Sequence, residues 1–243
     1  GFSSRLMKVV RGQNGLTYGV GSGFSLRRQP GPFQISTFTQ VETVRRVVDL
    51  LELDDVAVVG HDSGGLIARH AMAGDGRLRA MGLINTEPPE PGWRFKAFIA
   101  ARHLPGFGAG FGWVAGKPRI RRIGLVLGDV FADPSLLDGE FDEFFLRPLH
   151  EIPERRNAAT KVLRSFDMRL VSELADLHRR IEVPVRLVWG DRDPFFPVAQ
   201  AKQMVGTFPN ATLAIIEGAG LFSHEERPAE VAAALLPTLT AAR

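Results

Sequence analysis

The residue types best suited to chemistry lie in one short segment, Gly60-His61-Asp62-Ser63-Gly64-Gly65. It follows an apolar run and opens a stretch compatible with a helix. Small residues on both sides of a sharp strand-to-helix turn let the central side chain project beside a helix N-terminus, which favours negative charge. With glycine flanks the central residue is Asp62, a carboxylate nucleophile. Ser63 is the alternative nucleophile, but it would put His61 at a position that requires a small side chain.

Two later segments offer an acid and a base. Gly190-Asp191-Arg192-Asp193-Pro194 follows the apolar run at residues 185–189, and either carboxylate could instead cap the following turn. A glycine-containing segment at residues 217–228 follows the last apolar run and contains His224. The first segment offers the acid, and His224 in the second segment is the candidate for a base that activates water.

The order of elements predicts an α/β fold with a mainly parallel sheet. Short apolar runs at residues 56–59, 81–84, 185–189 and 212–216 are typical of strands buried on both faces. A helix is predicted at residues 39–52, where Thr39 and Glu42 have capping-box spacing. Alternating strands and helices indicate a parallel sheet, whose ligands bind at the carboxyl ends of the strands.

The alternation stops in the middle of the chain, which predicts a helical cap. We assign residues 1–87 and 183–243 to the core and residues 88–182 to the cap. Helices are predicted at residues 93–102, 136–150 and 154–166. The glycine- and phenylalanine-rich run at residues 106–112 is predicted to be a flexible loop.

The segment Gly60-His61-Asp62-Ser63-Gly64-Gly65, called the elbow from here on, resembles the nucleophile elbow of one branch of the α/β-hydrolase superfamily. This branch contains the epoxide hydrolases and haloalkane dehalogenases. In that branch the aspartate attacks carbon to form an alkyl-enzyme ester, which a histidine-activated water hydrolyses without a cofactor. The resemblance implies that Asp62 is the nucleophile and that Asp193, rather than Asp191, orients the histidine. It also implies a small, apolar substrate.

The resemblance places Leu221 where the catalytic histidine is expected. Gly220 and Glu226-Arg227-Pro228 match the family element around that histidine. Leucine cannot accept a proton, so the general base is missing at this position. His224 is the candidate for a displaced base, and a locally bonded histidine at a helix start is the alternative.

The N-terminal part departs from the family pattern. A hairpin is predicted at residues 6–20, followed by a loop with Gly19, Gly21 and Gly23, and then by a segment that resembles the one after the family's fourth strand. Two strands, a helix and the loop that donates an oxyanion amide are absent from this pattern. A sheet without inner strands exposes unpaired edges, for which a homodimer is one remedy.

Substrate contacts are predicted for His61, Ser63, Trp93 and Leu221. Ser63 is at the position where the enzymes of the resemblance carry tryptophan or arginine, and the indoles of Trp93 and Trp113 in the cap could bind halide. Core packing is the alternative for such an aromatic residue.

Composition excludes several other classes. The chain has no cysteine, and its histidines lack paired metal-ligand spacing, so we expect no metal. A formal net charge of +3 from 30 basic and 27 acidic residues does not indicate nucleic-acid binding. We find no candidate membrane span or signal sequence and expect a cytoplasmic protein.

Three hypotheses follow. The first is a cofactor-free hydrolase with Asp62 as nucleophile, acting on a haloalkane, an epoxide or a small ester. The second is a descendant that keeps the pocket and binds a small ligand, or completes only the first half-reaction. The third is a serine hydrolase that uses Ser63.

Overall fold

A computed structural model describes residues 20–24, 33–37 and 41–241. Its main sheet has four parallel strands in the order β3-β4-β5-β6. A separate antiparallel pair, β1 with β2, precedes it. The strands are β1 Val20–Phe24, β2 Phe33–Thr37, β3 Val56–His61, β4 Leu78–Ile84, β5 Val185–Gly190 and β6 Ala211–Ile216. The predicted parallel sheet is confirmed.

Helices cover the sheet and create its two apolar layers. Their bounds are α1 Val41–Leu50, α2 Ser63–Met72, α10 Val198–Val205, α11 Ser223–Glu226 and α12 Pro228–Thr240. The larger layer joins α2 and α10 to the strands, as in the packing of Leu66 and Met204 with Leu187. In the smaller layer Val231 and Leu235 of α12 pack with Val188. Alternate side chains of a strand face opposite sides, so β5 contributes to both layers.

The segment between β4 and β5 is helical, as predicted. Its helices are α3 Trp93–Ala101, α4 Phe107–Ala115, α5 Pro118–Arg121, α6 Arg147–Glu151, α7 Pro153–Ser165, α8 Met168–Ser172 and α9 Leu174–His178. Single irregular turns lie at Gly124–Gly128, Pro134–Leu137 and Asp142–Leu146. The helix predicted at residues 136–150 begins only after Gly139, and the wide turn Asp142–Leu146 continues directly into α6. Gly139, at φ 75°, interrupts the predicted helix. No helix in the described ranges is long and apolar enough to cross a membrane.

The glycine-rich run at residues 106–112 is not the predicted loop, because most of it belongs to helix α4. Three glycines spaced four residues apart face α6 and α7. A Cβ on Gly108 would collide with Thr160, one on Gly112 with Arg156, and one on Gly116 with His150. The missing side chains let the helices approach closely, and this packing offsets the poor helix propensity of glycine.

The start of the chain differs from prediction in one place. Residues 6–19 of the predicted hairpin lie outside the described residues. The loop predicted around Gly21 and Gly23 is wrong, because Val20–Phe24 forms β1 and pairs with β2. Main-chain hydrogen bonds form this pair, so glycine does not prevent it.

Two alanine substitutions test the role of the glycines in α4. Gly112→Ala should lower the free energy of unfolding by about 1–3 kcal/mol, because a Cβ there also lies 2.9 Å from the carbonyl oxygen of Leu149. Gly110→Ala is the matched control. Nothing lies within 4 Å of its added Cβ, so it should raise stability by roughly 0.5–1 kcal/mol. Urea titration of both variants gives the comparison, and equal effects would contradict the close-packing account.

Candidate active site

The predicted elbow is a sharp turn between β3 and α2. Asp62 lies at this turn with φ 49° and ψ −133°, a conformation that is rare for a residue with a side chain. Its amide donates to the carbonyl oxygens of Ile84 at 3.2 Å and Asn85 at 3.1 Å. Its own carbonyl oxygen accepts from the amide of Gly65 at 2.8 Å. These bonds hold the turn in its strained conformation.

Glycine is required at Gly60 and Gly65 because the segments around this turn nearly touch, whereas a Cβ on Gly64, the flank predicted on the helix side, would meet nothing within 4 Å. A Cβ on Gly60 would lie 2.6 Å from the Cα of Gly65. A Cβ on Gly65 would lie 2.5 Å from the hydroxyl oxygen of Thr86. The elbow geometry predicted from the sequence is therefore present, with Asp62 as its central residue.

Beneath the elbow is a buried network around Glu87, whose side chain is fully buried. Its Oε1 accepts from the Ser63 hydroxyl at 2.9 Å, and Thr86 Oγ1 lies 2.9 Å from its Oε2. Arg69 is also fully buried and has a guanidinium nitrogen 3.8 Å from the same carboxylate. Arg69 donates to the carbonyl oxygen of Glu87 at 2.8 Å and lies 3.1 Å from His178 Nε2. The network joins β4 to α2 and α9.

Asp193 is the other buried carboxylate, and the structure places it close enough to Asp62 for their charges to interact. Its Oδ1 accepts from the amides of Phe195 at 2.8 Å and Phe196 at 3.0 Å. Asn85 donates to its Oδ2 at 2.8 Å and in turn accepts from the Ser223 hydroxyl at 2.7 Å. By contrast, Asp191 accepts from the amide of Gly218 and acts as a turn residue.

The electrostatics of the site favour a protonated Asp62. Burial raises its pKa well above the usual value, and the negative charges of Glu87 and Asp193 raise it further. A hydrogen bond from the Ser63 amide opposes this effect. Burial also raises the pKa of Asp193 to about 6, against the hydrogen bonds from Phe196, Asn85 and Phe195.

Leu221 occupies the position expected for the catalytic histidine. Its side chain is only 6% exposed and belongs to the main core. Its amide donates to the carbonyl oxygen of Val130 at 2.9 Å, and its carbonyl oxygen lies 3.0 Å from His61 Nε2. This segment is thus held firmly in place, but it presents no proton acceptor from its side chain.

His224 is placed against His61, and its Nε2 lies 3.6 Å from the carboxylate of the neighbouring Glu225. The two ring centroids lie 4.3 Å apart. Burial lowers the pKa of His61 to about 3 and also lowers that of His224, so both rings are neutral near pH 7. A protonated histidine beside Asp62 would lower its pKa, and among the described residues no histidine contributes to the shift of that pKa. The role of His224 as a displaced base stays a prediction.

The other residues predicted to contact the substrate lie either beside Asp62 or at the protein surface. His61 and Ser63 flank Asp62 and are partly buried. The side chain of Trp93 is 73% exposed at the start of α3, and Trp113 is 53% exposed. Among the described residues, no hydrogen bond or charge interaction joins either indole to Asp62, and a role for these indoles in binding stays a prediction.

Six members of this arrangement were not predicted from the sequence, namely Arg69, Asn85, Thr86, Glu87, His178 and Ser223. A signal for two of them was present, because Asn85 and Glu87 directly follow the apolar run that became β4. Polar residues there lie at the carboxyl edge of the sheet, beside the elbow. Arg69 had a weaker signal, as a charged residue on the apolar face of a short helix.

The chain belongs to the alpha/beta hydrolase family, whose model matches residues 11–234. Among solved structures, the epoxide hydrolase CorEH superposes with a TM-score of 0.62 at 19% identity, covering 82% of this chain and 72% of that one. The meta-cleavage product hydrolase CumD superposes with a TM-score of 0.63 at 14% identity, covering 82% and 69%. At these identities the likeness establishes the fold alone.

Two sequence relatives have no described activity. An uncharacterized hydrolase of Bacillus subtilis, YugF, is 24% identical over 183 residues, which are 75% of this chain and 64% of the relative. An uncharacterized protein of Mycobacterium tuberculosis is 30% identical over 117 residues, which are 46% of this chain and 34% of the relative. The matched regions thus span less than two thirds of the length of either relative.

The raised pKa of Asp62 has a consequence for stability. An acid whose pKa is higher in the folded than in the unfolded protein destabilises the fold as pH rises from the unfolded value through the folded one. Asp62→Asn removes this ionisation, so the variant should gain stability over the wild type as pH rises from 4 to 8, on the order of 1 kcal/mol. Urea titrations across this range measure the difference. A constant difference at every pH would contradict the electrostatic account.

Proposed function

We propose that this chain is a hydrolase that uses the Asp62 carboxylate as its nucleophile on a haloalkane, an epoxide or a small ester. The observation that supports this most is the position of Asp62 at the centre of the elbow, with φ 49° and with the Ser63 amide on its carboxyl group. A residue held in such a conformation, at a helix N-terminus, is characteristic of a functional position. Asp193 is the acid that would orient a histidine in a complete site.

In the first step, a carboxylate oxygen of Asp62 forms a bond to the electrophilic carbon. The bond from that carbon to its leaving group breaks, and the leaving group departs with the electron pair. A halide departs as the anion, and an ester attacked at its alkyl carbon releases its own carboxylate. An epoxide oxygen stays attached and takes up a proton from water, which leaves hydroxide. Because only the ionised carboxylate attacks, the rate should rise with pH as the raised pKa of Asp62 is passed.

In the second step, water attacks the carboxyl carbon of the ester, and a base must take up its proton. Leu221 provides no base at the expected position. We therefore propose that the ester forms readily when Asp62 is ionised and that its hydrolysis is slow. Slow release would leave a long-lived covalent intermediate.

Intact-protein mass spectrometry tests this proposal. The protein is incubated at pH 8.5 with a panel of haloalkanes, epoxides and activated esters. We expect a single adduct of the mass of the transferred group, absent from Asp62→Asn and present in Ser63→Ala. If no reagent modifies folded protein in an Asp62-dependent manner, the nucleophile proposal is wrong and the ligand-binding hypothesis is favoured.

A second substitution tests the missing base. Leu221→His should shorten the adduct lifetime by about 100-fold or more, the usual contribution of a positioned general base. Leu221→Met is the matched control for the changed core packing, and it should leave the lifetime unchanged. Equal lifetimes in all three proteins would place the defect elsewhere, for example in the oxyanion segment.

One contact supports the serine hypothesis as a second candidate. The Ser63 hydroxyl donates to the buried carboxylate of Glu87 at 2.9 Å, which is the geometry of a serine beside a base. However, Glu87 also contacts Arg69 and Thr86, and Ser63 is the first residue of α2 rather than the centre of the turn. An ester-derived adduct lost in Ser63→Ala and retained in Asp62→Asn would establish this alternative.

A further inference from the structure

A cavity that is open to the surface lies on the helical segment, between α3 and α8. Its volume is about 290 Å³, near the lower end of ligand pockets, which span roughly 300–1,000 Å³. The residues that line it are Lys96, Ile99, Ala100, Arg102, His103 and Met168. It is lined neither by residues of the elbow nor by Glu87 or Asp193, so this cavity is separate from the candidate active site.

One face of α3 supplies most of the cavity wall. Lys96, Ile99, Ala100 and His103 recur at intervals of three and four residues, so they form a single stripe along the helix. This stripe places an ammonium group and an imidazole on either side of a short apolar floor. Met168, the first residue of α8, faces it with a flexible apolar side chain. The wall is thus cationic and apolar, and it contains no acid.

Arg102 gives the cavity an unusual charge. Arg102 is only 8% exposed, and its Nη1 is buried with no hydrogen-bond partner among the described residues. Its Nε donates to His103 Nε2 at 3.0 Å, which leaves the hydrogen of that imidazole on Nδ1 as a further donor. The guanidinium also lies 5.8 Å from the Phe166 ring. A buried cation without a carboxylate partner is costly, and an anion would relieve that cost.

The surrounding sequence adds positive charge without acids to balance it. Residues 91–128 contain no Asp or Glu. Their basic residues are Arg94, Lys96, Arg102, Lys117, Arg119, Arg121 and Arg122. Three of these pair with acids outside the range, whereas the recorded ion pairs of the described residues include neither Lys96 nor Arg102.

The carboxylate of Asp167 interacts electrostatically with Arg102, but it already has another partner. Hydrogen bonds from Arg169 are the main cause of the lowered pKa of Asp167, and Arg102 contributes least. Arg169 Nε donates to Asp167 Oδ2 at 2.8 Å. The carboxylate of Asp167 therefore does not neutralise the cavity.

We propose that this cavity is a binding site for a small anionic amphiphile, with its carboxylate or phosphate on Lys96, Arg102 and His103 and its apolar part on Ile99, Ala100 and Met168. The head group would form charge-assisted hydrogen bonds, which are about twice as strong as neutral ones. The short apolar floor selects a medium chain rather than a bare ion. This site does not depend on the identity of the nucleophile.

Calorimetric titration of the full chain with decanoate tests the proposal, with decanol as the uncharged probe. We expect saturable binding of decanoate with one site and at least tenfold weaker binding of decanol. Lys96→Gln should weaken decanoate binding about tenfold, through loss of one charge-assisted contact. Lys117→Gln is the matched control, because Lys117 is an exposed lysine of the same acid-free range that does not line the cavity. It should leave the affinity unchanged.

A second set of measurements guards against misfolded variants and a non-specific surface effect. Ala100→Leu fills the cavity from an exposed helix position and should abolish decanoate binding while leaving the melting temperature within a few degrees of the wild type. Vesicles of phosphatidylglycerol and phosphatidylcholine, and inorganic phosphate, serve as alternative sources of the anion. Equal losses in Lys96→Gln and Lys117→Gln, binding to vesicles but not to decanoate, or equal affinities for decanoate and decanol would each overturn the proposal.

Discussion

The contact between β3 and α2 is the constraint on which the candidate site depends. The strand and the helix approach so closely that a Cβ on Gly60 would lie 2.6 Å from the Cα of Gly65. Only this approach allows the turn at Asp62, and the turn places a carboxyl group beside the first amides of α2. Parallel pairing of β3 with β4 then brings Asn85 and Glu87 next to it. The site is therefore a consequence of one tight strand-to-helix turn and one strand pairing.

The excess of negative charge in the site explains why Asp62 favours its protonated form and why its ionisation lowers the stability of the fold. Three carboxylates, Asp62, Glu87 and Asp193, interact in a buried region, and Arg69 is the cation that contacts one of them. In the enzymes that the elbow segment resembles, a histidine is expected to add a proton acceptor and, once protonated, a positive charge. Here Leu221 contributes packing instead. The arrangement favours the protonated form of Asp62, the proposed nucleophile, at low pH.

The sequence predicted the parallel sheet and the elbow, because both depend on local patterns of apolar runs, glycines and strand ends. It did not predict that Gly108 and Gly112 belong to a helix, since their propensity is overridden by contact with Thr160 and Arg156 of α7. Nor did it predict the bond from Asn85 to Asp193 or that from Ser63 to Glu87. Those contacts join residues distant in the chain, and they become visible only when strand order is known.

The central claim is that Asp62 forms an ester with the substrate, and oxygen-isotope labelling during a single turnover tests it most directly. Protein in excess over a reactive haloalkane is held in water enriched in ¹⁸O until the alcohol is released, and its peptides are then mapped by mass spectrometry. Since water attacks the carboxyl carbon of the ester, ¹⁸O should enter the peptide that contains Asp62, and the alcohol should carry the original carboxylate oxygen. Label found only in the alcohol, with none in that peptide, would contradict the account, because water would then attack the substrate directly.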